Sequence, residues 1–257
     1  MTAAPFRAWL DDWYLGSADP RGSGPGASAS ADGAAVTPGP GSADSAWLPL
    51  RLEARQDGVA VNLRLDSERP LVLQGERGFS RKHPNGGGSY YYSHPFLQAE
   101  GVLRFGERSV RVSGQAWLDR EWSSQFLQPD QSGWDWFALH LDSGEKLMLF
   151  RLRDRAGVGA GFRHGVLIAA DGTRRELNPE RIGFEPLEHR RIAGRNIPVR
   201  WRLTLEDSDR SLEVQALHPE QWMDVDFAYW EGYVLARGDT PETSGRGYLE
   251  MVGYPVE

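Results

Sequence analysis

The chain repeats one pattern, two short strand-like segments separated by a turn signal, and this repetition constrains its fold more than any other feature. Each turn contains glycine with aspartate, glutamate or another polar residue, as tight β-hairpin turns do. The paired segments are residues 50–55 and 59–65, 101–105 and 109–113, 136–141 and 146–152, and 166–170 and 174–177. No segment carries a 3.6-residue apolar stripe long enough to predict a helix.

Consecutive hairpins at this spacing predict an all-β sandwich or barrel, because local antiparallel pairing leaves few open strand edges. Further strands are predicted at residues 6–15, 47–53, 198–205, 211–216, 225–236 and 247–253. A barrel of about eight strands leaves room for side chains or one small ligand. The ten tryptophans and eight tyrosines favour a ligand-holding barrel, although aromatic core packing explains them equally well.

Residues 16–46 differ from the rest of the chain, because they consist almost wholly of Gly, Ala, Ser, Pro and Asp. Such a segment cannot bury enough apolar area to offset the entropy lost on ordering. We therefore expect a disordered surface insertion at 16–46.

Composition excludes several classes of function. The net charge of -7 and the pI near 5.5 argue against a nucleic-acid partner, since phosphate binding needs a basic surface. The chain has no cysteine and its histidines lack ligand spacing, so we predict neither a metal site nor a cofactor. No apolar run is long enough for a transmembrane segment, and the first residues do not resemble an export signal. Localisation and oligomeric state stay open.

The segment 114–122 is the richest in candidate chemistry. If it is a strand, its two-residue period places Trp117, Asp119 and Glu121 on one face, opposite Arg120 and Trp122. Apolar rings beside a carboxyl group raise its pKa and keep it a usable acid. This face therefore suits proton chemistry on an apolar molecule.

Two other aromatic segments supply candidates for the walls of a ligand cavity. In segment 133–140 the same alternation groups Trp134, Trp136 and His140 on one face. In segment 89–95 it groups Tyr90, Tyr92 and His94. Core or rim positions explain these residues as well as ligand contacts do.

Five aromatic motifs, at 89–95, 114–122, 133–137, 229–232 and 245–250, together resemble the lipocalin-like AttH/CrtC family. This family includes bacterial carotenoid 1,2-hydratases and predicted secreted hydrolases, and its members are often exported. The resemblance implies tandem lipocalin-like antiparallel β-barrels, the first one incomplete. We expect residues 1–96 to form the partial first domain, and residues 97–257 the second.

The resemblance also implies a reaction. In the hydratase branch an aromatic-x-Asp motif carries the proton-donating aspartate, and Trp117 and Asp119 occupy the matching positions. Trp117 replaces a tyrosine of that branch and Glu121 replaces an asparagine. Acid-catalysed addition of water to an apolar isoprenoid or lipid alkene is the implied activity.

Alternatives to catalysis stay open. Asp119, Arg120 and Glu121 also suit a structural ion-pair cluster, and the barrel suits a non-catalytic carrier of a hydrophobic ligand. Glu231 and Glu250 are expected to be structural partners of arginines.

Overall fold

The computed structural model describes residues 2–3, 6–18, 47–125, 127–156, 161–225 and 227–257, and strands form most of it. The predicted all-β, lipocalin-like fold is confirmed. The first sheet contains β1 (Thr2–Ala3), β2 (Phe6–Leu10), β3 (Trp13–Ser17), β4 (Leu50–Gln56), β5 (Val59–Asp66), β6 (Val72–Leu73), β7 (Phe79–Arg81), β8 (Gly88–Phe105) and β9 (Arg108–Trp122).

The second sheet contains β10 (Gln131–Leu141), β11 (Lys146–Asp154), β12 (Phe162–Ile168), β13 (Arg174–Glu176), β14 (Ile182–Ile192), β15 (Arg195–Leu205), β16 (Arg210–Ala216), β17 (Trp222–Met223), β18 (Tyr229–Gly238) and β19 (Gly245–Val252). Two single 3-10 turns lie at Pro179–Arg181 and Glu206–Ser208.

The first sheet has the order β1-β2-β3-β4-β5-β8-β6, with β7 and β9 also paired to β8. The predicted β4–β5 hairpin is present, with Asp57 and Gly58 in left-handed conformations at its turn. The prediction of one strand over 6–15 is wrong, because the chain reverses at Asp11 and Asp12 and β2 pairs with β3. Asp11 has a φ of 48°, which aspartate tolerates better than most residues.

The predicted insertion at 16–46 begins too early, since β3 continues through Gly16 to Ser17. Residues 19–46, the rest of the predicted insertion, lie outside the described part of the chain.

The second sheet has the order β13-β12-β11-β10-β19-β18-β16-β15-β14, with β17 paired to β18. The predicted hairpins appear as β10–β11 and β12–β13, and the strands predicted at 198–205 and 211–216 pair as β15–β16. Strand β19, near the end of the sequence, pairs with both β10 and β18. This pairing places the 133–140 segment beside the 229–232 and 245–250 segments in one sheet.

Contacts divide the chain into two compact units, Met1–Val72 with Ser93–Asp119, and Leu73–Tyr92 with Arg120–Glu257. The division into 1–96 and 97–257 stays a prediction. The core of the second unit includes the fully buried Trp201, Trp230 and Phe137 together with many aliphatic side chains. The core of the first unit is smaller and consists of Phe6, Leu50, Leu65 and Leu97, bordered by partly buried apolar residues.

Three open cavities lie at the surface of the described chain. In the first unit, a cavity of about 470 Å³ borders Asp66 and Gln115. In the second unit, two cavities of about 480 Å³ each border His83. None of these three cavities is lined by Asp119. Among the described residues, no helix is long and apolar enough to cross a membrane.

Candidate functional site

Strands β10, β18 and β19 present chemically different faces on their two sides. Phe137, Trp230 and Leu249 belong to the core of the second unit, so the alternate residues of each strand point to the opposite face. We call this opposite face the outer face, meaning the face that carries Trp134, Trp136, His140, Glu231, Tyr233, Tyr248 and Glu250. The predicted grouping of Trp134, Trp136 and His140 on one strand face therefore agrees with this packing.

Two glutamates face each other on the outer face. Glu231 and Glu250 are direct partners in the β18–β19 register, and both are partly buried. Trp134 Nε1 donates a hydrogen bond to Glu250 Oε1 at 2.6 Å. Neither glutamate takes part in the salt bridges found within the described chain. The expectation that they serve as structural partners of Arg246 or Arg120 stays a prediction.

The environment of these two glutamates favours their protonated forms. Burial raises the pKa of Glu231, and the charge of Glu250 raises it further. Burial also raises the pKa of Glu250, the charge of Glu121 adds to this, and the hydrogen bond from Trp134 opposes it. Two carboxyl groups with a raised pKa thus lie at residues that the sequence analysis assigned to structure.

Glu121 has a different environment within the second unit. Its carboxylate forms an ion pair with Lys82 Nζ at 2.8 Å and accepts a hydrogen bond from Ser89 Oγ. Lys82 also lies over the Phe150 ring, with Nζ 4.0 Å from the ring centroid. The poorly exposed Lys82 ammonium group thus places a positive charge beside the partly exposed Glu121 carboxyl group, which suits a water-orienting role.

Asp119 lies within the first unit, on β9. The hydroxyl of Ser93, a fully buried residue of β8, donates a hydrogen bond to Asp119 Oδ1. Strand alternation places Trp117, Asp119 and Glu121 on one face of β9. Asp119 and Glu121 thus each accept a hydrogen bond from a serine hydroxyl of β8, and Glu121 in addition pairs with the Lys82 ammonium group.

The aromatic residues of β8 contact the other face of β9. Tyr90 stacks on Trp122 with ring centroids 6.1 Å apart, and Tyr92 meets the same ring edge to face. Alternation along β9 points Trp122 away from Asp119 and Glu121. The structure therefore does not bring Tyr90 and Tyr92 to the face that carries the two predicted catalytic carboxylates.

The two candidate histidines are held in apolar or cationic surroundings. His94 is fully buried, and its ring meets the edge of Trp47 with centroids 5.6 Å apart. Burial lowers the pKa of His94 to about 4. His140 pairs in register with Lys146 and Arg246, and burial followed by those two charges lowers its pKa to about 4. Both imidazoles are therefore neutral near pH 7.

Trp136, on the outer face, contacts a tyrosine of β8. Its indole N–H donates a hydrogen bond to Tyr91 OH at 3.2 Å, and Tyr91 is almost fully buried.

Among the described residues, no group of three His, Asp or Glu side chains is arranged to hold a metal ion.

The sequence analysis missed Lys82, Ser89, Ser93 and Tyr91 as site residues. Each of them contacts a partner that lies 26 or more residues away in the sequence. One available signal was the rarity of lysine, since Lys82 is one of only two lysines in the chain.

Comparisons with known proteins agree with this architecture. The crystal structure of an AttH protein from Nitrosomonas europaea is similar, with a TM-score of 0.78 and 32% identity over 97% of this chain and 70% of that one. Kievitone hydratase from Nectria haematococca has the same fold, with a TM-score of 0.66 and 20% identity over 80% of this chain and 64% of that one. A search of curated proteins found no significant match. Residues 1–254 match the AttH-like family, which confirms the predicted resemblance, and the chain belongs to that family.

Proposed function

We propose that the protein is a hydratase-like enzyme that adds water to an isolated alkene of an apolar isoprenoid or lipid. Asp119 donates the proton and Glu121 orients the attacking water. The observation that carries this proposal is that a serine hydroxyl orients each of the two carboxyl groups, Ser93 that of Asp119 and Ser89 that of Glu121, while Lys82 pairs with Glu121.

The reaction needs three steps. The alkene π electrons take the proton of Asp119, which forms a C–H bond and leaves a tertiary carbocation. An aromatic ring such as that of Trp117 stabilises the cation through its π face. Water then forms the C–O bond and loses a proton to Glu121, which yields a tertiary alcohol, and exchange with solvent returns both carboxyl groups to their starting states.

Two further observations support this proposal. The chain shares its fold with kievitone hydratase, although at 20% identity this similarity establishes the fold alone. Positions 117 and 119 match the aromatic-x-Asp motif of the hydratase branch. Tyr90, Tyr92, His94 and His140 stay predicted ligand contacts.

Substituting Asp119 with asparagine is expected to lower turnover of an acyclic carotenoid with a terminal trisubstituted alkene by at least about 100-fold, because the amide cannot donate an acidic proton. The alcohol product is quantified by chromatography with mass spectrometry. Ser93→Ala is expected to cause a smaller loss, since it only frees the orientation of the carboxyl group. Glu100→Gln, an exposed acid on β8, is the matched control. Full turnover by Asp119→Asn would refute the proposal.

A carrier function is the second candidate, and the bordering residues of the first core favour it. Leu15, Leu52 and Leu63 pack on that core while staying partly exposed. An apolar surface of this kind can bind a lipid without reacting with it. Native mass spectrometry that finds a co-purified lipid, combined with no turnover of that lipid, would favour the carrier.

A further inference from the structure

The outer face of the second unit carries an apolar surface directly beside the Glu231–Glu250 pair. Trp134 stacks on Phe227 with ring centroids 5.6 Å apart and an interplanar angle of 27°, and Phe227 is 50% exposed. Tyr248 is 49% exposed and meets Tyr233 edge to face at 6.0 Å. Exposed rings grouped in this way are typical of surfaces that bind another molecule.

Two ionised carboxylates directly opposite each other on neighbouring strands repel. Protonation of one of the two carboxyl groups removes this repulsion, which agrees with the raised pKa of each glutamate. The indole N–H of Trp134 occupies Glu250 Oε1. The second oxygen of Glu250 is therefore the one that can carry the proton and donate it in a hydrogen bond.

We propose that Glu231, Glu250 and the Trp134–Phe227 rings form a subsite for a neutral, apolar molecule that carries a hydroxyl or carbonyl oxygen. The carboxyl proton of Glu250 is donated in a hydrogen bond to that oxygen, and the rings receive the apolar body. No covalent bond changes at this subsite. It lies wholly within the second unit and does not depend on turnover by Asp119.

Other charged groups near the pair define its pH dependence. Glu121 of β9 adds negative charge, while Tyr229 of β18 and Tyr248 of β19 have pKa values raised first by burial and then by nearby charges, so both stay neutral. Arg246 of β19 and His140 of β10 are register partners, and each lies four residues along its strand from the Glu250–Trp136 pair. The glutamates are therefore the groups of this face whose titration changes the hydrogen-bond donor.

Isothermal titration calorimetry with geraniol and with geranylamine at pH 5.5 and 8.5 tests the subsite. Geraniol is expected to bind at pH 5.5 and to lose about tenfold in affinity at pH 8.5, as for the loss of one hydrogen bond. The double variant Glu231→Gln/Glu250→Gln is expected to bind geraniol equally at both pH values, because amide N–H groups donate regardless of pH. Asp142→Asn, which changes an exposed acid of the β10–β11 turn, should behave as wild type.

Three results would overturn the inference. Geranylamine binding more tightly than geraniol would show an ionised pair that prefers a cation. Geraniol affinity that Glu250→Ala leaves unchanged, in a variant with a normal thermal melt, would exclude the pair as its partner. No geraniol binding at either pH would remove the subsite altogether. Conversely, pH-dependent geraniol binding without any alkene hydration by the wild type would refute the proposed function and leave the subsite standing.

Discussion

Replacing Asp135 with alanine is expected to lower the free energy of unfolding by about 3–5 kcal/mol, because it leaves two poorly exposed arginines without their counter-ion. Asp135 is fully buried on β10. Its Oδ2 lies 2.6 Å from Arg151 Nε, and its Oδ1 accepts hydrogen bonds from Arg153 and, at 2.8 Å, from Tyr254 OH. Losing one buried charge therefore breaks three contacts at once.

Urea unfolding, monitored by tryptophan fluorescence, measures this loss of unfolding free energy. The matched control is Glu185→Ala, which removes an exposed carboxylate 2.8 Å from Arg202. A surface pair of this kind contributes at most about 1 kcal/mol. A loss below about 1 kcal/mol for Asp135→Ala would mean that the two guanidinium groups find other partners, and it would contradict the proposed importance of the cluster.

The sequence predicted the strands best where a turn residue marks the end of each one. Glycine and aspartate between alternating segments located the β4–β5 and β10–β11 hairpins. The β2–β3 turn was missed, because Asp11 and Asp12 interrupt an aromatic segment without any glycine or proline. Strand β14 was missed because Pro186 and several charged residues, among them Glu185, obscure its alternation.

Site residues were harder to predict than strands, since the sequence gives the face of a side chain but not its partner across the sheet. Alternation placed Asp119 and Glu121 on one face, and it grouped Trp134 with Trp136. The partners Ser93 and Lys82 depend on strand register and loop position, neither of which follows from local pattern. For the same reason the β18–β19 register, which opposes Glu231 to Glu250, was invisible in the sequence.

Acid is expected to destabilise this protein steeply between pH 6.5 and 4, because three histidines are held neutral by burial. His94, His140 and His164 each have a pKa lowered from 6.5 to about 4, with burial as the largest cause. In the unfolded chain these groups take up protons below about pH 6.5, whereas in the folded protein they do so only near pH 4. The stability from this difference is therefore complete above pH 6.5 and is lost as the pH falls. For the fully buried His94 the loss amounts to about 3 kcal/mol.

The contribution of His94 can be separated from that of titrating carboxylates by comparing wild type with His94→Leu. Neither ring nitrogen of His94 has a hydrogen-bond partner among the described residues, so leucine removes a titrating group without removing a hydrogen bond that the structure describes. The difference in unfolding free energy at pH 7.5 gives the effect of packing alone. At pH 5 the variant should gain about 2 kcal/mol relative to wild type, beyond that difference. Parallel stability curves for the two proteins between pH 7.5 and 5 would show that His94 becomes protonated inside the folded protein, and thus that its burial does not hold it neutral.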